Sequence, residues 1–458
     1  TGFYDGQVAD RWGHFHFGRL VPHPTIGRAS PRNQKQGEGF VRIVLLALIA
    51  VIGLPFAFAA GTEGGRKTLL VYDTIAKPFS LMNEIDPILM GLTRFDAEPE
   101  KIESAKLQAS DIDRADFIVL VGVGGSPTLS PDCTRMLQRA KKPLLCVGHA
   151  VNGPGSGTLK NQPIQKAVVD YRETTWPVRL DPFFRLSAGE SQILSQVVGG
   201  GGPLPLAWRS GNRFAFATLP GEPVLAMIFS DLLLDFYGVK NIPSTGMVFM
   251  LDDYHPASDP SMLRRLSDYM AYKHIPFIVL TQSRDVPADA TDLMPRETYL
   301  DSLRYAQARG ARIFLDASAD PVLDRESFSA DGVIPMGAES RPTISIESGD
   351  NFTLYVGSRY FQDTPGSDPV PYRSHAPLLL ANGGVLLPAN ILGGMDGIAL
   401  DEVRKNIGQI ARLRGGVAGI VMPAWLPFQH LRDLVDACLQ SALPVIDPLG
   451  FGPNPDSQ

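Results

Sequence analysis

The sequence predicts an α/β protein: a small parallel-sheet domain followed by a (β/α) barrel of eight strands or fewer. Three observations lead there. Runs such as Phe117–Val121 and Met247–Leu251 are continuously apolar over strand length, as strands buried on both faces are. Segments of helical spacing lie between such runs; in Ser261–Lys273, Met262, Leu263, Leu266, Tyr269 and Met270 share one face. The 38 prolines and 45 glycines among 458 residues point to many short elements joined by turns rather than to a helical bundle.

The bulk numbers exclude some functions. Hydrophobic residues make up 44% of the chain, enough for ordinary buried cores. The net charge is −6 and there is no run of Lys and Arg, so no nucleic-acid partner is expected. Cys133, Cys146 and Cys438 are the only cysteines, which allows at most one disulfide and no C-x-x-C metal site.

Residues 1–42 are polar, rich in Gly and Pro and aperiodic, and are expected to form a disordered leader. Residues 43–60 read IVLLALIAVIGLPFAFAA, with Arg28, Arg32, Lys35 and Arg42 upstream and Ala57-Phe58-Ala59 near the end. Basic flank, apolar run and small-x-small site in this order predict a signal peptide and a secreted or periplasmic protein. The run spans about 18 residues, so an uncleaved membrane anchor, with the globular part outside the cytoplasm, is the alternative.

The first globular domain is expected over 67–240. Lys67–Asp73, Phe117–Gly122 and Pro143–Gly148 read as strands, with a helix over Pro131–Lys141. Strand, helix, strand implies a parallel sheet of flavodoxin-like or Rossmann-like kind. Gly122-Val-Gly124-Gly125 has two readings, a phosphate cradle or a tight strand-to-helix turn; it lacks the spacing of a dinucleotide or P-loop motif. His149 is a candidate cap for the third strand. Residues 160–240 look β-rich, with Trp176–Leu180, Leu204–Trp208 and Phe214–Leu219 as strands and Gly199–Gly202 as a turn.

The second domain is expected over 241–450. Strands are predicted at Val248–Leu251, Pro276–Leu280, Ala311–Leu315, Phe352–Val356, Val385–Leu387, Val417–Met422 and Pro444–Ile446. Helices are predicted at Ser261–Lys273, Thr298–Gly310, Ile398–Arg414 and Gln429–Gln440. Barrel chemistry sits where strands end, here at Asp252-Asp253, Gln282, Asp316, Met422 and Asp447. The most informative stretch is Met247–Pro256, in which a buried strand runs into two adjacent carboxylates, a His and a Pro. Carboxylates at the mouth of a buried strand are costly unless they meet a metal, a proton or a polar ligand.

Four segments of this domain resemble the polysaccharide-deacetylase superfamily, related to carbohydrate esterase family 4, in a secreted bacterial branch with an α/β domain in front. They are Leu251–Pro256 with the helix after it and Lys273-His-Ile-Pro-Phe-Ile-Val; Leu303–Asp316; Leu387–Leu392; and Gly416–Pro423 followed by Val445–Pro448. The resemblance implies a distorted (β/α) barrel of the polysaccharide-deacetylase type. It also implies that Asp252 is a general base and Asp253 a metal ligand. The two metal histidines of the family fall on Asp316 and Asp320, and its acid histidine falls on Met422. An all-carboxylate set of Asp253, Asp316 and Asp320 suits Mg²⁺, Ca²⁺ or Mn²⁺ better than Zn²⁺. Met422 donates no proton. His255 is either a substitute ligand or acid, or a turn residue bonded to the backbone. With Trp425 it is expected near the rim of the mouth.

The expected function is thus an exported, polysaccharide-deacetylase-like protein that is catalytically degenerate and acts on or binds a cell-surface or extracellular glycan. The alternative is an active metal-dependent carbohydrate N- or O-deacetylase with a rebuilt, carboxylate-rich site.

Overall fold

The computed structural model describes residues 66–73, 85, 87–123, 129–151, 164–180, 183–184, 191–198, 203–242, 244–281, 293–316, 331–334, 354–356, 360–361, 370–371, 374–379, 384–393 and 400–451. The leader and the 43–60 segment lie outside them. Among the described residues the protein is a mixed α/β structure with two nine-stranded sheets, the first parallel in one half and antiparallel in the other, the second largely parallel; their strand orders are β2-β1-β3-β4-β9-β8-β7-β5-β6 and β17-β18-β14-β13-β12-β11-β10-β20-β19.

In the first sheet, β1 (Thr68–Tyr72), β2 (Glu100–Glu103), β3 (Phe117–Gly122), β4 (Leu144–Gly148) and β9 (Arg213–Phe216) pair in parallel. Helices α1 (Ala109–Arg114) and α2 (Pro131–Arg139) cover one face through Ile112, Cys133 and Leu137. Residues 87–92, which are helical, and α3 (Pro223–Phe236) cover the other through Ile88, Leu92, Phe229 and Leu233. Coverage on both faces explains why β1, β3 and β4 are apolar without alternation. Helix α2 starts where Ser130 Oγ accepts the Cys133 N–H at 3.2 Å, with Pro131 in the first turn. Beyond β9 the sheet continues antiparallel through β8 (Leu204–Ser210), β7 (Gln192–Val198), β5 (Ile164–Tyr171) and β6 (Thr174–Leu180). Within the region 160–240, expected to be β-rich, α3 is a helix. That helix is apolar nearly all round and fully packed, so it carries little helical periodicity; Pro223 in its first turn, with Glu222 capping the Leu225 N–H at 3.0 Å, was the legible signal.

The second sheet is parallel from β10 (Gly246–Tyr254) through β11 (Phe277–Thr281), β12 (Ala311–Asp316), β13 (Gly332–Ile334) and β14 (Leu354–Val356) to β18 (Val385–Leu387). On its other side, β20 (Val417–Pro423) joins β10 to β19 (Ile391–Leu392). The short β17 (Leu378–Leu379) lies antiparallel to β18, and β15 (Tyr360–Phe361) pairs with β16 (Val370–Pro371) in a separate two-stranded sheet. Helices α4 (Pro260–Tyr272), α5 (Arg296–Gln307), α6 (Leu400–Ile410) and α7 (Phe428–Leu439) pack on one face. Phe249, Leu251, Phe277, Val279, Ile420 and Met422 meet Leu266, Leu303, Ile407 and Leu434 there. The alternate residues Val248, Met250, Ile278, Leu280 and Val421 form a separate core with Val385, Leu387, Ile446 and Phe451. Helices α4, α5 and α7 begin one or two residues before the predicted starts, and α6 ends at Ile410 rather than at Arg414. Pro444–Ile446 makes a single bridge, Val445 to Met247, rather than a strand.

β18 pairs with β14 while β19 pairs with β20, although only Pro388, Ala389 and Asn390 separate them. The Asn390 side chain ties this segment to β20. Its Oδ1 accepts the Gly419 N–H at 3.0 Å, and its Nδ2 donates to the Val417 and Ser374 carbonyls at 3.0 Å each. The approach needs a glycine: a Cβ on Gly419 would lie 1.7 Å from the Pro388 carbonyl oxygen.

A buried ionic cluster joins the two sheets' regions. Arg414, after α6, donates to the carboxylates of Asp231 at 3.0 Å and Asp235 at 2.8 Å, both in α3. Tyr171 and Arg172 also bond Asp231. Arg94 donates to the Ser230 and Arg414 carbonyls. Burial opposes the Asp231 charge, but the bonds from Arg414 outweigh it and hold the carboxyl below its ordinary range. His375 lies beside this cluster, fully buried, and neither ring nitrogen has a hydrogen-bond partner among the described residues. Burial first, then the Arg94 cation, push its pKa down to about 3.

The three cysteines are free and buried. Among the described residues no helix is long and apolar enough to cross a membrane.

Candidate functional site

The carboxylates Asp252 and Asp253 lie next to the end of β10, just before Tyr254, and the chain is bulged there. Leu251 pairs with Val279 and Tyr254 with Thr281, so β10 uses one more residue than β11 between the two pairs. Leu251 and Tyr254 both pack in the helix layer, which strict alternation forbids for residues three apart. The extra residue resets the alternation and leaves the two carboxylates together at the strand end. Asp253 carries the irregularity with φ +63°, a left-handed conformation that costs a non-glycine residue about 1 kcal/mol and that Asp tolerates better than most. Strain of this kind clusters where a side chain has to be aimed.

Neighbours fix the bulge. On the β20 side Asp252 pairs with Pro423, and its carbonyl accepts the Ala424 N–H at 2.8 Å. Beyond it, the buried Tyr254 ring stacks on Tyr299 of α5 at 5.5 Å between centroids. Its hydroxyl shares a 2.7 Å hydrogen bond with Ser302, and Tyr299 donates to the Tyr254 carbonyl at 3.3 Å. Burial pushes the Tyr254 hydroxyl up to about 12, so it stays protonated and serves as a strut. Asp252 is buried and Asp253 half-buried.

His255 is a turn residue. Its Nδ1 accepts the Ala257 N–H at 3.1 Å, and its own N–H donates to Ser258 Oγ at 3.0 Å. Of the two readings of this imidazole, the backbone-bonded one matches the geometry, and in the neutral ring the proton is then on Nε2. Asp316 is the last residue of β12, paired with Ile334. Its side chain, Gln282 and all of Asp320 lie outside the described residues, so the three-carboxylate set is described only at Asp253. Among the described residues no group of three His, Cys, Asp or Glu is placed to hold a metal ion.

Of the other expected strand-end residues, Met422 lies at the carboxyl end of β20 but packs toward the helices, and Asp447 lies at the opposite end of the strands. Met422 pairs with Leu251 and, like it, faces the helix layer, where it is fully buried. It therefore does not stand at a mouth position where an acid is missing. Asp447 follows the bridge to Met247 near the start of β10 and pairs with Arg312, the second residue of β12, at 2.9 Å. That is the amino end of the strands, opposite Asp252. Pro444–Ile446 meets β10 in parallel at Met247, the second residue of that strand, so the residue that follows the segment falls at the amino end of the sheet. Trp425 is 57% exposed, while the residues around it from Val417 to Leu426 are buried. It follows Ala424, whose N–H bonds the Asp252 carbonyl.

In the first sheet, the carboxyl ends of β1, β3 and β4 also gather polar groups. Asp73 Oδ1 accepts the Val123 N–H at 2.7 Å, across the point where the strand order reverses between β1 and β3. His149 lies on Phe184 at 4.1 Å between ring centroids. Burial lowers its pKa and the Asp73 carboxylate partly restores it. Gly148, at φ +63°, permits the tight exit from β4: an added Cβ would lie 2.4 Å from the Gly122 carbonyl oxygen. Gly122 ends β3, whereas Gly124 and Gly125 lie outside the described residues, so the cradle reading is described only at its first glycine.

No protein-family model matches the chain, and no curated protein does. Among solved structures, the chain is similar to a ThuA-like protein of Bacteroides uniformis at 12% identity and a TM-score of 0.26, over 35% of this chain and 84% of that one. It is also similar to a catalytic mutant of Gan42B, a GH42 beta-galactosidase of G. stearothermophilus, at 12% identity and a TM-score of 0.26, over 39% of this chain and 31% of that one. Likenesses this slight carry no argument for function, and nothing in them singles out a polysaccharide deacetylase.

Proposed function

We propose that this is an exported, polysaccharide-deacetylase-like protein that binds a cell-surface or extracellular glycan at the mouth formed by Asp252 and Asp253 and has lost most of its hydrolytic activity. The observation that carries the reading is the bulge in β10. It keeps two successive carboxylates at a carboxyl strand end, at the expense of a left-handed Asp253, and a stable core has no need of that arrangement. The connectivity of the second sheet supports the barrel part of the reading. We infer that it closes through residues 385–392, because one short segment pairs with both β14 and β20. β10 to β14, the β18–β19 segment and β20 would then be the parallel staves. The core of Val248, Met250, Leu280 and Val421 would fill the interior, and Asp252 would cap it.

Acetate release from N-acetylated hexosamine oligomers tests the degenerate reading. The expected rate is at background with or without added Mg²⁺, Ca²⁺, Mn²⁺ or Zn²⁺. A robust, metal-dependent rate abolished by Asp252→Asn would overturn it.

One observation favours the second reading, an active deacetylase with a carboxylate-bound cation on Asp253, Asp316 and Asp320. Met422 belongs to the helix layer, so its lack of a proton says nothing about which group at the mouth could serve as an acid. A bound divalent cation would polarise the acyl carbonyl. Asp252 would accept the proton of the attacking water.

A further inference from the structure

We infer that the contact between the two sheets' regions is an acid-operated latch, which opens when the buried His375 takes up a proton. It lies at the amino end of β20, away from the Asp252–Asp253 end of the strands. Three features of the contact support this.

The first is the imidazole. His375 is fully buried, and neither ring nitrogen has a hydrogen-bond partner among the described residues. Both nitrogens are also closed to water. A polar ring left in this state weakens the fold. What it adds over an apolar residue of its size is the capacity to bind a proton. The second feature is charge. Arg94 and Arg414 act on the ring as cations and Asp231 as an anion. Behind them, Tyr171 and Arg172 bond Asp231, and Asp235 bonds Arg414. Arg94, Arg172 and Arg414 thus share two carboxylates, and the cluster holds one positive charge in excess before His375 is protonated. A further cation there is repelled and finds no acceptor, so the protonated ring is stable only in water.

The third feature is what the cluster fastens. Arg94, Tyr171, Arg172, Asp231 and Asp235 belong to the first sheet's region, His375 and Arg414 to the second's. The turn from β5 to β6 reaches the cluster with Arg172 at φ +51° and Glu173 at φ +60°, a left-handed pair that suits Asn and Gly far better. Arg412 clasps the same turn by donating to Thr174 Oγ1 at 2.7 Å. The contact therefore holds a strained hairpin, which relaxes on release. On the other side, the His375 carbonyl accepts the Val417 N–H at 2.6 Å, and the Ser374 carbonyl accepts from Asn390 Nδ2 at 3.0 Å. Departure of His375 frees the first residue of β20 and loosens the Asn390 brace.

The closed latch keeps the ring neutral down to about pH 3, whereas the open one protonates it near 6.5. Opening therefore becomes about fifty- to hundredfold more favourable from pH 7 to 4.5. Hydrogen exchange on the full chain, corrected for the pH dependence of intrinsic exchange, tests this. The latch amides are Val417 and Gly419; Val119 of β3 and Val279 of β11 report the cores. At pH 4.5 we expect Val417 and Gly419 to have lost about fiftyfold in protection and to exchange while Val119 and Val279 stay protected. In His375→Leu and His375→Gln the acid loss at Val417 and Gly419 should disappear. The wild-type contrast between latch and core amides needs neither variant. Unchanged protection at Val417 and Gly419 overturns the inference. So does their exchange at one common rate with Val119 and Val279, which is global unfolding, or an undiminished acid response in either folded variant.

Discussion

His375 makes the stability of the protein dependent on pH, and the size of the effect follows from its surroundings. The ring is fully buried, faces Arg94 and Arg414 on one side of the charge balance and Asp231 on the other, and titrates at about 3 rather than 6.5. Below pH 6.5 the unfolded chain takes up a proton at this residue that the native state refuses until about pH 3, so native stability falls as the pH falls through that window. Each pH unit well inside the window is worth about 1.4 kcal/mol, and between pH 6.5 and 4.5 the loss from this residue alone comes to about 2–3 kcal/mol. Replacing the imidazole with a side chain of similar volume and no polar atoms removes the term. Urea denaturation of the wild type and of His375→Leu, measured at half-unit steps from pH 7 to 4.5, should give a falling stability for the wild type and a much flatter line for the variant. At neutral pH the variant should be no less stable, because the ring nitrogens have no partners to lose among the described residues. Parallel lines across the window would refute the reasoning and assign the acid sensitivity to other groups.

Asp253→Gly should relieve the left-handed backbone and raise stability by up to about 1 kcal/mol, partly offset by the freer unfolded chain, while abolishing glycan binding. Thermal denaturation and a binding assay check the two halves. Gly419→Ala should cost at least about 3 kcal/mol, because the new methyl meets the Pro388 carbonyl and disrupts the Asn390 brace; chemical denaturation reads it directly. If the 43–60 segment is a cleaved signal, Edman sequencing of the protein secreted by its host should begin near Ala60 or Gly61. A product that keeps the apolar run and stays with the membrane would indicate the anchor instead.

The buried strands were legible because continuous apolar runs have few alternatives: Phe117–Gly122, Leu144–Gly148 and Val417–Pro423 lie where the pattern put them. Elements whose pattern is blurred by their environment were not. Helix α3 is buried nearly all round, and β2, Glu-Lys-Ile-Glu, is a polar strand that among the described residues is held by β1 alone. At the site, the adjacency of Asp252 and Asp253 could be read, but the bulge that presents them could not. It arises from the register between β10 and β11, which depends on residues about thirty positions apart. The inward or outward facing of Met422 depends likewise on pairing with Leu251. The cluster of Arg94, Tyr171, Asp231, His375 and Arg414 draws on five distant segments, and no local motif announces it.

Isothermal titration of the full chain with N-acetylhexosamine and de-N-acetylated hexosamine oligomers, comparing wild type with Asp253→Ala, tests the central claim most directly. The proposal predicts saturable binding of at least one oligomer by the wild type and its loss in Asp253→Ala, which should remain folded though somewhat less stable, because alanine suits the left-handed φ +63° less well than aspartate. Identical isotherms for the two proteins, or no binding by the wild type, would contradict a glycan site at the Asp252–Asp253 mouth.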